Sequence, residues 1–204
     1  MHALTWLAIF CSLRLEQLFN MHTPSSQSGK LLLIGYRGTG KTVVAEQLAE
    51  RLGEKHIDTD RDIETVAGRT IARIFSESGE EEFRSLETEA LCAALKRDGR
   101  ILALGGGVVL REENRSMLKN AGTTVLLQAA LETIFARLAG DPTTEEHRPN
   151  LTGGGLEEIV EVLEIRRELY RQCADLIVDT EDKTPAQVAD EILAKCRLKT
   201  QDEE

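Results

Sequence analysis

The sequence predicts an α/β fold: a parallel sheet with helices on both faces. Three observations carry this. The stretch Gly35-Tyr36-Arg37-Gly38-Thr39-Gly40-Lys41-Thr42 reads G-x-x-x-x-G-K-T. It lies between an apolar run, Leu31 to Ile34, and a helix-like pattern, Val43 to Leu52, the strand–loop–helix setting of a phosphate-binding loop. Five short apolar runs have strand character: Leu31–Ile34, Lys55–Ile57, Ile101–Leu104, Thr123–Leu127 and Leu176–Val178. Helical patterns fill the gaps, and such alternation builds a parallel sheet covered on both faces.

The first run leads into the glycine-rich loop. Its glycines let successive backbone N–H groups curl around an anionic phosphate, and the following helix points its positive end at the same charge. Lys41 can reach the outer phosphates, and the Thr42 hydroxyl suits Mg²⁺. The chain is therefore expected to bind a nucleoside triphosphate. The second run ends in Asp58-Thr59-Asp60. If the extended conformation persists, both carboxylates point the same way. One can then hold Mg²⁺ through water, while the other accepts a proton from, or orients, an attacking hydroxyl. Asp60 also reads as a helix cap, since it precedes a helix-like segment.

The next helix, Glu82 to Leu95, carries a 3.6-residue apolar stripe through Phe83, Leu86, Ala90, Leu91, Ala94 and Leu95. Arg84 lies at its start, and position alone makes it no more than a surface ion-pair residue. The third run leads into Gly105-Gly106-Gly107. Consecutive glycines cost ordering entropy that a plain turn does not require, and they permit close backbone approach to a ligand. After the fourth run, Asp141 to Gly155 is polar, proline-bearing and ends in three glycines. It reads as a mobile lid with a glycine hinge, from which Arg148 can swing onto a transferring phosphate. The helix pattern Leu156–Leu169 follows, and periodicity turns one of Arg166 and Arg167 inward and the other to water. After the fifth run, Pro185 suits the first position of a last helix, with Thr184 as its cap.

At 204 residues with 41% hydrophobic and 29% charged side chains, the chain has material for one α/β domain. The net charge of −10 argues against a nucleic-acid partner and requires any anion site to be locally basic. Cys11, Cys92, Cys173 and Cys196 are far apart with no metal-ligand spacing, as expected of free thiols in a reducing cytoplasm. The four histidines form no cluster. Residues 1–28 read as a dispensable extension ahead of a single domain over 29–204. Its apolar part, Ala3 to Leu13, is shorter than the ~20 residues of a membrane span, only His2 precedes it, and Met21 is an alternative start. No membrane association is expected.

In this order the motifs resemble those of the shikimate kinase family over about Leu31 to Leu193: G-x-x-G-x-G-K-T, D-T-D, G-x-x-I-x-x-I-F with E-F-R, L-G-G-G, R-P, R-x-x-L-Y, and V-D-T with a following Pro. The resemblance implies a nucleoside-monophosphate-kinase-like fold with strand order 2-3-1-4-5. It implies ATP- and Mg²⁺-dependent phosphorylation of the 3-hydroxyl of shikimate. A monomer is expected. It gives Gly38, Thr39, Gly40, Lys41, Thr42 and Val43 to the nucleotide phosphates. Thr42 and Asp58 fall to the metal, and Asp60 to the substrate hydroxyls as candidate base. Arg84 and Arg166 become the clamp on the shikimate carboxylate, with Gly105, Gly106 and Gly107 as substrate-side backbone. Arg148 matches the lid arginine, Arg137 the arginine against adenine, and Pro185 the proline of the adenine loop. Phe75, Phe83 and Glu87 match positions lining or supporting the pocket. Asn150, where R-P-L-L is the commoner lid sequence, and Arg37 inside the phosphate loop depart from the family pattern. A gluconate kinase would share the phosphate loop and an aspartate after the second strand, but not the L-G-G-G, E-F-R and R-x-x-L-Y set. A GTP-dependent switch would need an N-K-x-D-like reader, which Asp179-Thr180-Glu181-Asp182 does not supply. A catalytically silent module would not be expected to keep both Lys41 and Asp60.

Overall fold

The computed structural model describes residues 29–140 and 156–198. The expectations for the extension 1–28 and for the lid 141–155, with Arg148 and Asn150, lie outside the described residues. In chain order these form β1 (Lys30–Ile34), α1 (Lys41–Leu52), β2 (His56–Asp58), α2 (Thr59–Ala67), α3 (Ile71–Lys96), β3 (Ile101–Ala103), α4 (Glu112–Ala121), β4 (Gly122–Gln128), α5 (Leu131–Ala139), α6 (Leu156–Cys173), β5 (Leu176–Asp179) and α7 (Pro185–Cys196). The strands make one sheet in the order β2-β3-β1-β4-β5, and every pairing is parallel.

Alternation along β1 explains the three layers. Leu31 and Leu33 join Val44 and Leu48 of α1 and Val188 and Ile192 of α7 on one face. Leu32 and Ile34 join Leu91 of α3, Leu118 of α4 and Tyr170 of α6 on the other. A central strand covered on both sides has no face for polar residues, so β1 reads as an uninterrupted apolar run. Full burial of each such leucine or isoleucine contributes about 1.5–3 kcal/mol.

Most strand ends shift by a residue from the sequence expectation, and two differences bear on the site. The second strand ends at Asp58 instead of Ile57, and α2 starts at once. Asp58 is its N-cap, with Oδ1 accepting from the N–H groups of Asp60 at 3.0 Å and Arg61 at 3.3 Å. The chain is therefore not extended through Asp60, and the two aspartates do not share a strand face. The cap is Asp58, and Asp60 sits in the first helical turn. The long helix begins at Ile71 and is kinked at Gly79, whose φ of 83° and ψ of 174° are not helical. The expected Glu82–Leu95 helix is the segment after that kink. The expected cap of α7 is present: Thr184 and Gln187 form a reciprocal capping box, with Pro185 in the first turn. Cys92, Cys173 and Cys196 are free thiols. Among the described residues no helix is long and apolar enough to cross a membrane.

Candidate active site

The loops leaving the carboxyl ends of β1, β2 and β3 meet above the sheet, where parallel α/β folds bind ligands. The loop after β1 enters α1 through Gly40 in the left-handed conformation, φ 88° and ψ 17°, with no side-chain cap. A helix start without a side-chain cap presents its N–H groups, and its positive dipole end, to an anion. Lys41 is buried at this point. Its ammonium donates to the carbonyls of Gly35 and Tyr36, both at 2.9 Å. These contacts hold the charge over the loop where phosphates would lie.

Thr42, the next residue, donates its hydroxyl to Asp58 Oδ2 at 2.7 Å. One Asp58 oxygen thus caps α2 while the other reaches the phosphate loop. A hydroxyl and a carboxylate oxygen are the hard donors Mg²⁺ takes alongside water and phosphate oxygens, so this pair fits the ion. Among the described residues no cluster of three His, Cys, Asp or Glu side chains could hold a metal. A resident all-protein cage is therefore not what these residues offer.

The loop after β3 carries the three glycines, and buried side chains converge on it. Thr59 Oγ1 accepts from the Gly105 N–H at 3.1 Å and donates to the Ala103 carbonyl at 3.4 Å, tying β2 to β3. A Cβ at position 105 would lie 2.8 Å from Asp60 Oδ1 and 2.6 Å from Glu87 Oε1, so both carboxylates flank this turn. At Gly107 a Cβ would fall 1.8 Å from Arg84 Nη1. Real side-chain atoms cannot occupy that distance, so only glycine leaves room for the guanidinium.

Arg84 is 6% exposed. It donates to Glu87 Oε2 at 2.7 Å and to Glu80 Oε1 at 3.0 Å, and its guanidinium lies 5.0 Å from the Phe83 ring centre and 5.9 Å from that of Phe75. Arg166, on α6, is 9% exposed and donates to the Gly106 carbonyl at 2.9 Å. Arg167 is exposed, which resolves the inward-or-outward choice left by periodicity. The Tyr170 hydroxyl, one helical turn on, donates to the same carbonyl. Burial pushes the Glu87 carboxyl above the ordinary carboxylate range, against the pull of Arg84 and Arg166. Burial likewise pushes the Tyr170 hydroxyl up to about 12, so it remains a donor at neutral pH.

The remaining expected residues sit as follows. Arg137, on α5, donates to the Gly38 carbonyl at 3.3 Å and to Thr180 Oγ1 and O at 3.0 and 2.9 Å, bridging the phosphate loop to the turn after β5. Pro185 opens α7 just beyond that turn. Thr39 is buried, its hydroxyl donating to the Tyr36 carbonyl at 2.7 Å, and Val43 faces outward from α1. Motif reading had given Thr59, Glu80 and Tyr170 no role in the site. Only the position of Tyr170, four residues after Arg166, hinted that it shares the inward face.

A parallel sheet in this order, with an anion cradle at the end of its central strand and a second basic cluster beside it, defines a P-loop kinase of the nucleoside-monophosphate-kinase-like type. The family described as shikimate kinase matches residues 37–197. A shikimate kinase of Rhodopirellula baltica is 43% identical over 164 residues, 80% of this chain and 88% of that protein. The structure of a shikimate kinase from Acinetobacter baumannii, solved in complex with shikimate, superposes with a TM-score of 0.78 at 33% identity, covering 85% of this chain and 97% of that one. A gluconokinase from Sinorhizobium meliloti shares the fold alone, at 16% identity and a TM-score of 0.51. The chain belongs to the shikimate kinase family.

Proposed function

We propose that this protein transfers the γ-phosphoryl group of ATP to the 3-hydroxyl of shikimate, giving shikimate 3-phosphate and ADP. One observation carries the reading: Arg84 and Arg166, from different helices, are both buried and converge on the Gly105–Gly107 turn next to the phosphate loop. Arg84 pairs with Glu80 and Glu87, and Arg166 with the Gly106 carbonyl, yet a guanidinium carries more N–H donors than these partners use, so both can also hold an anionic ligand. The shikimate carboxylate supplies it through charge-assisted hydrogen bonds.

Each residue then has a task. Gly38, Thr39, Gly40 and Val43 contribute backbone N–H groups to the phosphates, and Lys41 leaves the Gly35 and Tyr36 carbonyls to contact the outer ones. Thr42 and Asp58 hold Mg²⁺, which when bound neutralises charge on the phosphate oxygens. Arg137 and Pro185 border the adenine. Asp60 aligns the 3-hydroxyl. The hydroxyl oxygen bonds to the γ-phosphorus, the bond to the bridging β–γ oxygen breaks, and the hydroxyl proton passes to the Asp60 carboxylate. Transfer of this kind is loose, so positioning and charge neutralisation matter more than base strength. Arg148, on the lid segment, adds a further positive charge to the transferring group. The enzyme acts as a monomer. ³¹P and proton NMR of the product made from shikimate and ATP tests the reading. Phosphate on O3 agrees with it, and phosphate on another oxygen contradicts the placement of Asp60.

A further inference from the structure

We infer that the protein carries a second ligand site, for a small organic anion with an apolar ring, behind the phosphate loop. A cavity of about 370 Å³ lies between α5, α6 and the ends of β4 and β5. Tyr36, Leu126, Ile134 and Leu163 give it an apolar wall, and Arg167, Arg171 and Tyr170 line the α6 side. Its lining includes Thr39 of the phosphate loop but none of Lys41, Thr42, Asp60, Arg84 or Arg166. Alternation along β5 sends Val178 into the core beneath α1 and α7, while Asp179 faces this cavity.

The charges decide which ligand the cavity suits. Two carboxylates, Asp179 and Glu181, also line it, and each accepts a backbone hydrogen bond. Glu181 accepts from the Ala130 N–H at 3.0 Å and the Thr133 hydroxyl at 2.5 Å, and Asp179 Oδ1 accepts from the Glu181 N–H at 2.9 Å. Arg167 and Arg171 lie one helical turn apart on α6, and neither guanidinium has a hydrogen-bond or ion-pair partner among the described residues. Two arginines one helical turn apart, lining the same cavity as an apolar wall, match a carboxylate attached to a ring. A cation of the same bulk would meet the two positive charges and would compete with backbone N–H groups for the carboxylates.

The site adjoins the proposed chemistry through Tyr170. This side chain lines the cavity while its hydroxyl holds the Gly106 carbonyl beside Arg166. Tyr36 also lines it, and its carbonyl is one of the two that hold Lys41. A ligand here would touch the residues that brace both reactant sites.

Saturation-transfer NMR titration of the whole protein with benzoate, in the presence of saturating shikimate and ADP, tests this. Benzoate is expected to bind under those conditions, to bind roughly tenfold or more weakly to the Arg167→Gln/Arg171→Gln variant, and to be blocked by Leu163→Trp, which fills the cavity. Benzylamine, of the same size and opposite charge, is expected not to bind. Absence of benzoate binding, full displacement of benzoate by shikimate, equal affinity in the double arginine variant, or equal binding of benzylamine would each overturn the assignment.

Discussion

The Arg84 guanidinium occupies the space a side chain at Gly107 would fill: a Cβ there would stand 1.8 Å from Nη1. The arginine and the glycine are thus one device, although separated along the chain by the end of α3 and all of β3. Gly107→Ala should displace the guanidinium and raise the shikimate KM, with ATP affinity unchanged. Arg84→Ala should weaken shikimate binding by about 2–5 kcal/mol, the scale expected when one member of a buried charge pair is removed. Steady-state kinetics with each substrate varied in turn checks both, and an unchanged shikimate KM in either variant removes the pair from the pocket.

Lys41→Ala should lower kcat by about 10²–10³-fold or more, the usual effect of losing a charge-stabilising donor. Its ammonium donates to two carbonyls of the phosphate loop, so the loss should fall on turnover, and thermal unfolding checks that the fold persists. A variant that turns over normally would contradict the assignment.

The two aspartates should separate in their effects. Asp58→Ala should raise the Mg²⁺ concentration needed for half-maximal activity. It should also cost about 1 kcal/mol of stability, because it removes the cap of α2. Asp60→Asn should lower kcat while leaving the Mg²⁺ requirement unchanged. A shifted Mg²⁺ requirement in the second variant would move Asp60 to the metal.

Tyr170 yields a pH prediction. Its folded pKa of about 12 stands above the model-peptide value of 10.0 because the hydroxyl is buried. Above pH 10 the unfolded chain releases this proton while the folded one keeps it, so stability is full below pH 10 and falls as pH rises to about 12. The loss attributable to this group is about 3 kcal/mol. Denaturant unfolding at a series of alkaline pH values should show a shallower decline in Tyr170→Phe, and identical slopes would contradict the burial argument.

The strand order came from the family resemblance, whereas layers and phosphate loop were legible because they rest on local signals: apolar runs, glycine spacing and capping residues. The end of β2 was not, since it depends on Asp58 turning back to cap α2. Arg84 could not be promoted by position alone, because the opening at Gly107 that admits its guanidinium lies on a different segment. The family motif, not the stripe, pointed to it. Thr59 was hidden for a similar reason: its hydroxyl links β2 to the β3 loop, a contact 46 residues away in sequence. The cavity behind the phosphate loop left no sequence signal, because its wall is assembled from five separate segments.

The central claim is that two buried arginines select a cyclic polyol acid at the edge of the phosphate loop. Coupled ADP release by the purified protein with ATP and Mg²⁺, comparing shikimate, gluconate and no acceptor, tests it most directly. ADP release that depends on shikimate and stays at background with gluconate is the predicted result. Equal or greater release with gluconate, or release indifferent to any acceptor, would contradict it.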